Sequence, residues 1–186
     1  MSAAHGNVTP QAVFFDRDGT LIEHVAYLSD PAQVVLLPGV REALGRLRDA
    51  AIRMFLFSNQ SGVGRGLFTM ADVEAVNRRM IDLLDLGPEP FAGICVAPEV
   101  PGEPSLYRKP SPRYIREMLA LHGIPATAAW MVGDSPVDWE AGLAAGVRTA
   151  AIVVATESAF VGVASPPDGV PAYPTILAWL HSSGVC

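Results

Sequence analysis

Short apolar runs alternate along this chain with longer segments in which apolar positions recur at helical spacing. The short runs show no alternation of apolar and polar positions, which is typical of strands buried on both faces of a sheet. Each run is followed by polar or glycine residues or by a loop. The predicted strands are Ala12–Phe15, Met54–Phe57, Gly93–Val96, Trp130–Val132 and Thr149–Val154.

The segments between the runs carry helix start and stop signals. Thr69 is a suitable N-cap, Pro112 lies near the first turn of a later segment, and Gly123 and Gly146 follow two segments directly. A threonine hydroxyl can accept a hydrogen bond from an unpaired backbone N–H at the start of a helix, and proline has no N–H to leave unpaired there. Glycine readily adopts the left-handed conformation that ends a helix. The predicted helices are Gly39–Ala51, Thr69–Leu86, Ser111–His122, Val137–Ala145 and Thr175–His181.

Alternating strands and helices predict an α/β domain with a mostly parallel sheet. Sheets of this kind bind ligands outside the carboxyl ends of their strands. We expect a single domain over residues 1–186, with a loop from Ala155 to Pro174 before the last helix.

Composition narrows the class of protein. The 186 residues include 13 Lys and Arg against 19 Asp and Glu, and the net charge of -6 argues against a nucleic-acid partner. The two cysteines, Cys95 and Cys186, are too few for a disulfide scaffold or a four-cysteine zinc site. No apolar stretch is long enough to cross a bilayer, and residues 1–10 lack a signal-peptide pattern. We expect a cytoplasmic monomer without a membrane partner.

Two pairs of aspartates follow predicted strands. Asp16 and Asp18 lie two residues apart in the run Asp-Arg-Asp-Gly-Thr, and two such carboxylates repel unless a cation or a proton lies between them. Asp134 and Asp138 lie four apart at the start of a helix, so Asp138 can point back towards Asp134. Each motif alone also fits a plain Asp-Gly turn or a capped helix start.

Two further motifs could hold an anion. Ser58 begins the run Ser-Asn-Gln-Ser-Gly after the second strand, where a hydroxyl and backbone N–H groups can hold phosphate oxygens. Arg108 and Lys109 precede a predicted helix as a cationic pair. A polar turn and a solvated basic pair are the plain alternatives. Because parallel strands end at one edge, the four motifs together predict a phosphate site there.

The ordered set of Asp16-x-Asp18-Gly19-Thr20, Ser58, Lys109 and Gly133-Asp134-x-x-x-Asp138 resembles the haloacid dehalogenase superfamily. Residues 58–69 and Arg108-Lys109-Pro110 are most similar to its group of heptose-1,7-bisphosphate 7-phosphatases and histidinol phosphatases. The resemblance implies a three-layer, Rossmann-like α/β fold with a parallel sheet. The intervals around Ser58 are filled by predicted helices and strands, so no separate cap domain is expected.

The resemblance also implies site roles. Asp16 is the expected nucleophile that forms an aspartyl phosphate, and Asp18 the acid and base. Ser58 and Lys109 are expected to bind the phosphoryl oxygens. The expected Mg²⁺ ligands are the carboxylates of Asp16 and Asp134 and the main-chain carbonyl of Asp18, with Asp138 beside them. The expected substrate-binding residues are Asn59, Arg65, Arg108, His24 and Tyr27.

The resemblance breaks down at the structural zinc loop that heptose-bisphosphate phosphatases usually carry just before the Arg-Lys-Pro motif. Cys95 stands where that loop's first ligand is expected, while Ala97, Ser105 and Tyr107 replace the other ligands. A single thiolate cannot form the tetrahedral site, so no zinc is expected. The loop after Asp18, which includes His24 and Tyr27, follows the heptose-phosphatase pattern only in part.

These observations predict a Mg²⁺-dependent phosphatase acting on a small phosphorylated metabolite, with heptose 1,7-bisphosphate favoured. Histidinol phosphate or another small sugar phosphate is the alternative substrate. A catalytically silent binding domain is an alternative of another class, but such a domain has no chemical need for Asp18. A response-regulator receiver would lack the Asp-x-Asp-Gly-Thr motif.

Overall fold

The computed structural model describes residues 9–153 and 165–185. Val154, the last residue of the predicted fifth strand, lies outside this range, as do residues 155–164 of the predicted loop. Cys186 and the first eight residues lie outside it too.

Within the described residues, six parallel strands form a single sheet in the order β3-β2-β1-β4-β5-β6. This order places β1 between β2 and β4. The chain adds β2 and β3 on one side of β1 and then adds β4, β5 and β6 on the other side. In open α/β sheets that reversal creates a crevice at the carboxyl edge. The strands are β1 Ala12–Phe15, β2 Arg53–Asn59, β3 Gly93–Ala97, β4 Ala129–Gly133, β5 Arg148–Ile152 and β6 Ala172–Tyr173.

The helices cover both faces of the sheet. They are α1 Val40–Asp49, α2 Ser61–Gly64, α3 Met70–Leu84, α4 Arg113–His122, α5 Pro136–Ala145 and α6 Ile176–Ser182. Single 3-10 turns occur at Pro31–Gln33 and Ala126–Ala128. No helix among the described residues has the length and apolar composition needed to span a bilayer.

Successive residues of β1 enter different apolar cores. Val13 and Phe15 pack into a core with α1, α3 and α6, whereas Phe14 packs into a second core with α4 and α5. All three side chains are fully buried. Strand side chains alternate between faces, so an unbroken apolar run is what a two-sided core requires. The three-layer α/β architecture predicted from the sequence is confirmed.

The predicted elements match the structure closely, with two exceptions. Residues 172–173 were expected within a loop but form β6, which pairs with β5 through Ala151 and Ile152. Residues 61–64, expected in the turn and loop after Ser58, form α2. Both elements are too short to produce a periodic pattern in the sequence.

Candidate active site

The ends of three adjacent strands bring the predicted motifs together. Phe15, the last residue of β1, pairs with Leu56 of β2 and with Val132 of β4, so Asp16 lies beside the last residues of both neighbouring strands. Asp16 follows β1, and its N–H donates to the carbonyl of Val132 at 3.0 Å. Ser58 lies near the end of β2, and Asp134 follows β4 directly. The candidate site therefore lies at the carboxyl edge, where β1 meets its two neighbours.

Three carboxylates form a tight cluster at this edge. Asp16, Asp134 and Asp138 each offer one oxygen, and these three atoms lie within 4.8 Å of one another. Gly19 adopts a φ of +83° and lies against Asp134, where a Cβ would collide with the carboxylate. A Cβ at Gly133 would likewise collide with Asp138. The two glycines are needed because the backbone approaches the acidic side chains so closely.

Lys109 is buried within the acidic cluster. Its Nζ lies 2.6 Å from Asp16 Oδ1 and 2.5 Å from Asp138 Oδ1, and it donates to the carbonyl of Phe57 at 2.7 Å. Asn59 fixes the backbone at Lys109, since its amide donates to the Lys109 carbonyl at 3.1 Å and accepts from the Lys109 N–H at 2.9 Å. The end of β2 thus positions the cation contributed by the loop before α4.

Asp138 serves the helix and the cluster with different oxygens. Its Oδ2 accepts hydrogen bonds from the backbone N–H and the hydroxyl of Ser135, at 3.1 and 2.5 Å, in a capping box at the start of α5. Its Oδ1 faces Lys109. The capped-helix interpretation and the site interpretation of this motif are therefore both present in the structure.

Burial makes the cluster electrostatically demanding. It raises the pKa of Asp16 well above its usual range; Lys109 opposes this shift, and Asp138 adds to it. Burial, followed by repulsion from Asp138, raises the pKa of Asp134 to about 7. Burial alone would lower the pKa of Lys109, but its ion pairs with Asp138 and Asp16 raise it overall. One ammonium is thus set against three carboxylates.

This excess of negative charge fits a divalent cation. Protonation relieves repulsion between buried carboxylates, and a cation at the same place relieves it while the carboxylates stay deprotonated. Carboxylate oxygens are the donors that Mg²⁺ prefers, and no soft ligand lies in the cluster. The side chains of Asp16 and Asp134 could hold Mg²⁺, while both oxygens of Asp138 are already engaged.

Asp18 lines a cleft beside the cluster. Its carboxylate accepts hydrogen bonds from Arg17 Nε and Nη2, each at 3.1 Å, and from Gln60 Nε2 at 2.8 Å. The Gln60 amide also donates to the Ser58 hydroxyl at 2.7 Å. The side chain of Asp18 is 18% exposed, which leaves it accessible to a molecule in the cleft.

The cleft has a volume of about 350 Å³ and is lined by the strand ends, by two loops and by α2. Asp18 and Asn59 line it on the side of the strand ends, and His24 and Tyr27 line it from the loop after Asp18. Phe68 contributes an apolar wall from the loop before α3. The structure therefore brings His24, Tyr27 and Asn59 together around Asp18.

Arg65 and Arg108 lie outside the lining of this cleft, but close to each other. Arg108 Nη1 donates to the carbonyl of Glu99 at 2.7 Å. Partial burial lowers the pKa of Arg108, Glu99 opposes this shift, and the nearby positive charge of Arg65 adds to it. Two guanidinium groups that repel each other are suited to bind an anion.

The side chains of Ser105 and Tyr107, in the segment before Arg108, form hydrogen bonds within the protein. The Ser105 hydroxyl accepts from the N–H of Arg108 at 3.0 Å, and the Tyr107 hydroxyl donates to Glu117 of α4 at 2.9 Å. Cys95 is buried in β3, and burial raises the pKa of its thiol to about 11. The side chains that replace the expected zinc ligands therefore contact protein groups.

Sequence reasoning missed three residues that contact the predicted site. Arg17 and Gln60 hold Asp18, and Asn77 of α3 accepts a hydrogen bond from Arg17 Nη1 at 2.9 Å. All three are buried. Arg17 and Gln60 lie within the recognised motifs, but the expected roles were assigned to the aspartates and to Ser58 beside them. For Asn77 the only signal is a polar residue on the apolar face of α3.

The sequence matches a family model described as haloacid dehalogenase-like hydrolase over residues 23–146. A D-glycero-D-manno-heptose-1,7-bisphosphate 7-phosphatase from Chlorobaculum tepidum is 32% identical over 152 residues, covering 75% of this chain and 76% of that protein. The D-glycero-beta-D-manno-heptose-1,7-bisphosphate 7-phosphatase of Rhodopseudomonas palustris is 33% identical over 143 residues, covering 73% of this chain and 79% of that protein.

Solved structures that are similar to this chain include enzymes with the same activity in their names as these relatives. The D,D-heptose 1,7-bisphosphate phosphatase of B. bronchiseptica, complexed with magnesium and phosphate, superposes with a TM-score of 0.82 at 25% identity, covering 92% of this chain and 97% of that one. The D,D-heptose 1,7-bisphosphate phosphatase of Burkholderia thailandensis superposes with a TM-score of 0.63 at 26% identity, covering 92% and 97% of the two chains.

Proposed function

The chain belongs to the haloacid dehalogenase-like hydrolases, and from this premise we propose that it is a Mg²⁺-dependent phosphatase that removes the 7-phosphate of D-glycero-D-manno-heptose 1,7-bisphosphate. The observation that carries the proposal is the placement of Asp16 and Asp18. The first carboxylate lies in a buried cluster with Lys109, and the second faces an open cleft. This arrangement supports attack on phosphorus by the first carboxylate and protonation of the sugar oxygen by the second.

In the first half of the proposed reaction, an oxygen of Asp16 attacks the phosphorus of the substrate. The bond between phosphorus and the sugar oxygen breaks, and Asp18 delivers a proton to that oxygen. Covalent capture divides one difficult displacement into two easier ones. Lys109, 2.6 Å from Asp16, supplies positive charge next to the transferring phosphoryl group.

In the second half, water attacks the phosphorus of the aspartyl phosphate. Asp18 accepts a proton from this water, the bond between phosphorus and Asp16 breaks, and inorganic phosphate leaves. Hydrogen bonds from Arg17 and Gln60 hold the Asp18 carboxylate beside the cleft, where the attacking water would be deprotonated. Ser58, whose hydroxyl accepts from Gln60, lies at the strand end where its O–H can donate to a phosphoryl oxygen.

Phosphatases of this family generally depend on Mg²⁺, and the B. bronchiseptica enzyme was solved with magnesium and phosphate. In this chain Asp16 and Asp134 would hold the ion with the main-chain carbonyl of Asp18. When bound, Mg²⁺ neutralises negative charge on the carboxylates and on the phosphoryl oxygens. Asp138 keeps Lys109 and the start of α5 in place beside it.

The cleft and the two arginines support a bisphosphate as substrate. His24, Tyr27 and Asn59 can contact the sugar beside Asp18, and Arg65 and Arg108 can bind a second anionic group. Histidinol phosphate carries a cationic amino end, which the guanidinium pair would repel. Charge at this position therefore favours the sugar bisphosphate.

The proposal includes a single domain whose site is covered only by loops. Between Gly19 and Gly39 the structure contains a short 3-10 turn as its one helical element, and between Ser58 and Lys109 it contains α2, α3 and β3. Of these elements, β3 belongs to the sheet, and α3 packs in one core with residues of β1 and β2. Selectivity would then depend on the short loops that include His24–Leu28 and Phe68.

A panel assay of phosphate release tests the proposed function. The substrates are heptose 1,7-bisphosphate, histidinol phosphate, hexose phosphates and nucleotides, each with Mg²⁺ and with EDTA. We expect the highest kcat/KM for the heptose bisphosphate and no turnover in EDTA. A preference for histidinol phosphate would overturn the substrate, and absence of any hydrolysis would favour a silent binding domain.

A further inference from the structure

A chain of buried polar contacts connects helix α3 to Asp18. Arg17, between the two motif aspartates, is 1% exposed. Its Nε and Nη2 donate to Asp18, and its remaining terminal nitrogen, Nη1, donates to Asn77 Oδ1 at 2.9 Å. On the opposite side, Gln60 connects Asp18 to Ser58. Asp18 is thus held by two buried donors, one after β1 and one after β2.

Asn77 is a buried polar residue on the otherwise apolar inward face of α3. The inward face of α3 otherwise buries Val73, Val76, Met80 and Leu84. An amide in such a place costs stability unless it is hydrogen-bonded, and a buried guanidinium costs more. The contact satisfies part of both groups, which explains how a polar residue is accommodated there. It also fixes the direction of the Arg17 fork.

We infer that Asn77 and Arg17 are positioning residues that hold the Asp18 carboxylate at the cleft in the orientation needed for proton transfer. This inference rests on the proposed function, in which Asp18 is the acid and base. A guanidinium that donates to both oxygens of a carboxylate fixes its plane as well as its place. Asn77 prevents rotation of that guanidinium because it occupies the Nη1 donor.

The role has a chemical signature. An alkoxide leaving group, as in a sugar phosphate, needs a proton from Asp18 when the phosphorus–oxygen bond breaks. Nitrophenolate is stable without a proton, so p-nitrophenyl phosphate does not need the acid in that step. Displacement of Asp18 should therefore slow phosphoryl transfer from the sugar phosphate far more than from p-nitrophenyl phosphate.

The experiment compares kcat/KM for the two substrates in Asn77→Leu and in the intact enzyme. Because kcat/KM reports the steps up to cleavage of the substrate, the later hydrolysis does not obscure the comparison. We expect a loss of about 10- to 100-fold with the sugar phosphate and less than about threefold with p-nitrophenyl phosphate. Asn77→Asp, which keeps an acceptor oxygen, should recover most of the sugar-phosphate activity.

Val76→Ala is the matched control. Val76 is fully buried on the same helix and its side chain packs into the apolar core, so its truncation tests the effect of looser packing. It should lower Tm without changing the ratio of the two kcat/KM values. Equal losses on both substrates in Asn77→Leu, or no loss on either, would overturn the inference. If the intact enzyme hydrolyses neither substrate, the proposed function itself fails, which is a separate result.

Discussion

At the scale of single residues, Asp134 shows how burial prepares a site for a cation. Its pKa is raised to about 7 by burial and then by Asp138, whereas an aspartate in an unfolded chain titrates near pKa 3.9. The folded protein therefore binds this proton more tightly than the unfolded chain does. The resulting contribution to stability is present at low pH and is lost as the pH rises through about 7.

Mg²⁺ competes with that proton, which yields a prediction about thermal stability. Millimolar Mg²⁺ should raise Tm by about 5 °C near pH 8, and by much less near pH 6, because protonated carboxylates bind the ion weakly. Melting curves in Mg²⁺ and in EDTA measure the difference. Asp134→Asn should show little response to Mg²⁺ at either pH. A larger rise near pH 6 than near pH 8 would contradict the assignment.

Cys95 illustrates the opposite case, a reactive residue type without a reactive setting. Burial raises the pKa of its thiol to about 11, and the thiolate is the form that binds metal. We predict that Cys95→Ala leaves kcat/KM unchanged and costs about 1 kcal/mol of stability. Elemental analysis should find no stoichiometric zinc in either protein. One zinc per chain, lost on substitution of Cys95, would contradict this prediction.

At the scale of secondary structure, α3 begins at a complete capping box. The Thr69 hydroxyl accepts from the Asp72 N–H at 3.3 Å, and Asp72 Oδ2 accepts from the Thr69 N–H and hydroxyl, each at 2.7 Å. Thr69→Ala should lower the free energy of unfolding by about 1 kcal/mol, measured by urea denaturation. Thr69→Ser keeps a hydroxyl and should recover most of that loss. Equal stability of all three proteins would refute the importance of the cap.

Elements with long or well-capped patterns were predictable from the sequence, and very short elements were not. Thr69, Gly123 and Gly146 marked helix ends that the structure confirms. The two residues of β6 are a strand only because β5 offers them an edge. Strand order also had to come from the structure, because local patterns do not record which strands are neighbours.

The candidate site was predictable where residues cluster in the sequence and unpredictable where they do not. Asp16 and Asp18 could be recognised because they lie two residues apart and are followed by a glycine. Asn77 depends on Arg17, which lies 60 residues away, so its burial and its partner are set by tertiary packing alone. The capping role of Asp138 was visible locally, but its ion pair with Lys109 required the assembled sheet.

At the scale of the whole molecule, a protein with a net charge of -6 can bind an anionic phosphate because its positive side chains are concentrated near the site. The acidic cluster lies where a cation can join it, and the positive side chains Lys109, Arg65 and Arg108 lie around the carboxyl edge. This edge gathers residues from β1, β2 and β4 because parallel strands all end there. Monomeric state and cytoplasmic location remain predictions from the sequence.

The central claim, that Asp16 is the nucleophile of a Mg²⁺-dependent heptose-bisphosphate phosphatase, can be tested in one measurement. Phosphate release from D-glycero-D-manno-heptose 1,7-bisphosphate is followed in Mg²⁺ for the intact enzyme and for Asp16→Asn, with circular dichroism to show that both are folded. The intact enzyme should release one phosphate per substrate, and Asp16→Asn should fall to background. Retained turnover in Asp16→Asn, or none in the intact enzyme, would contradict the account.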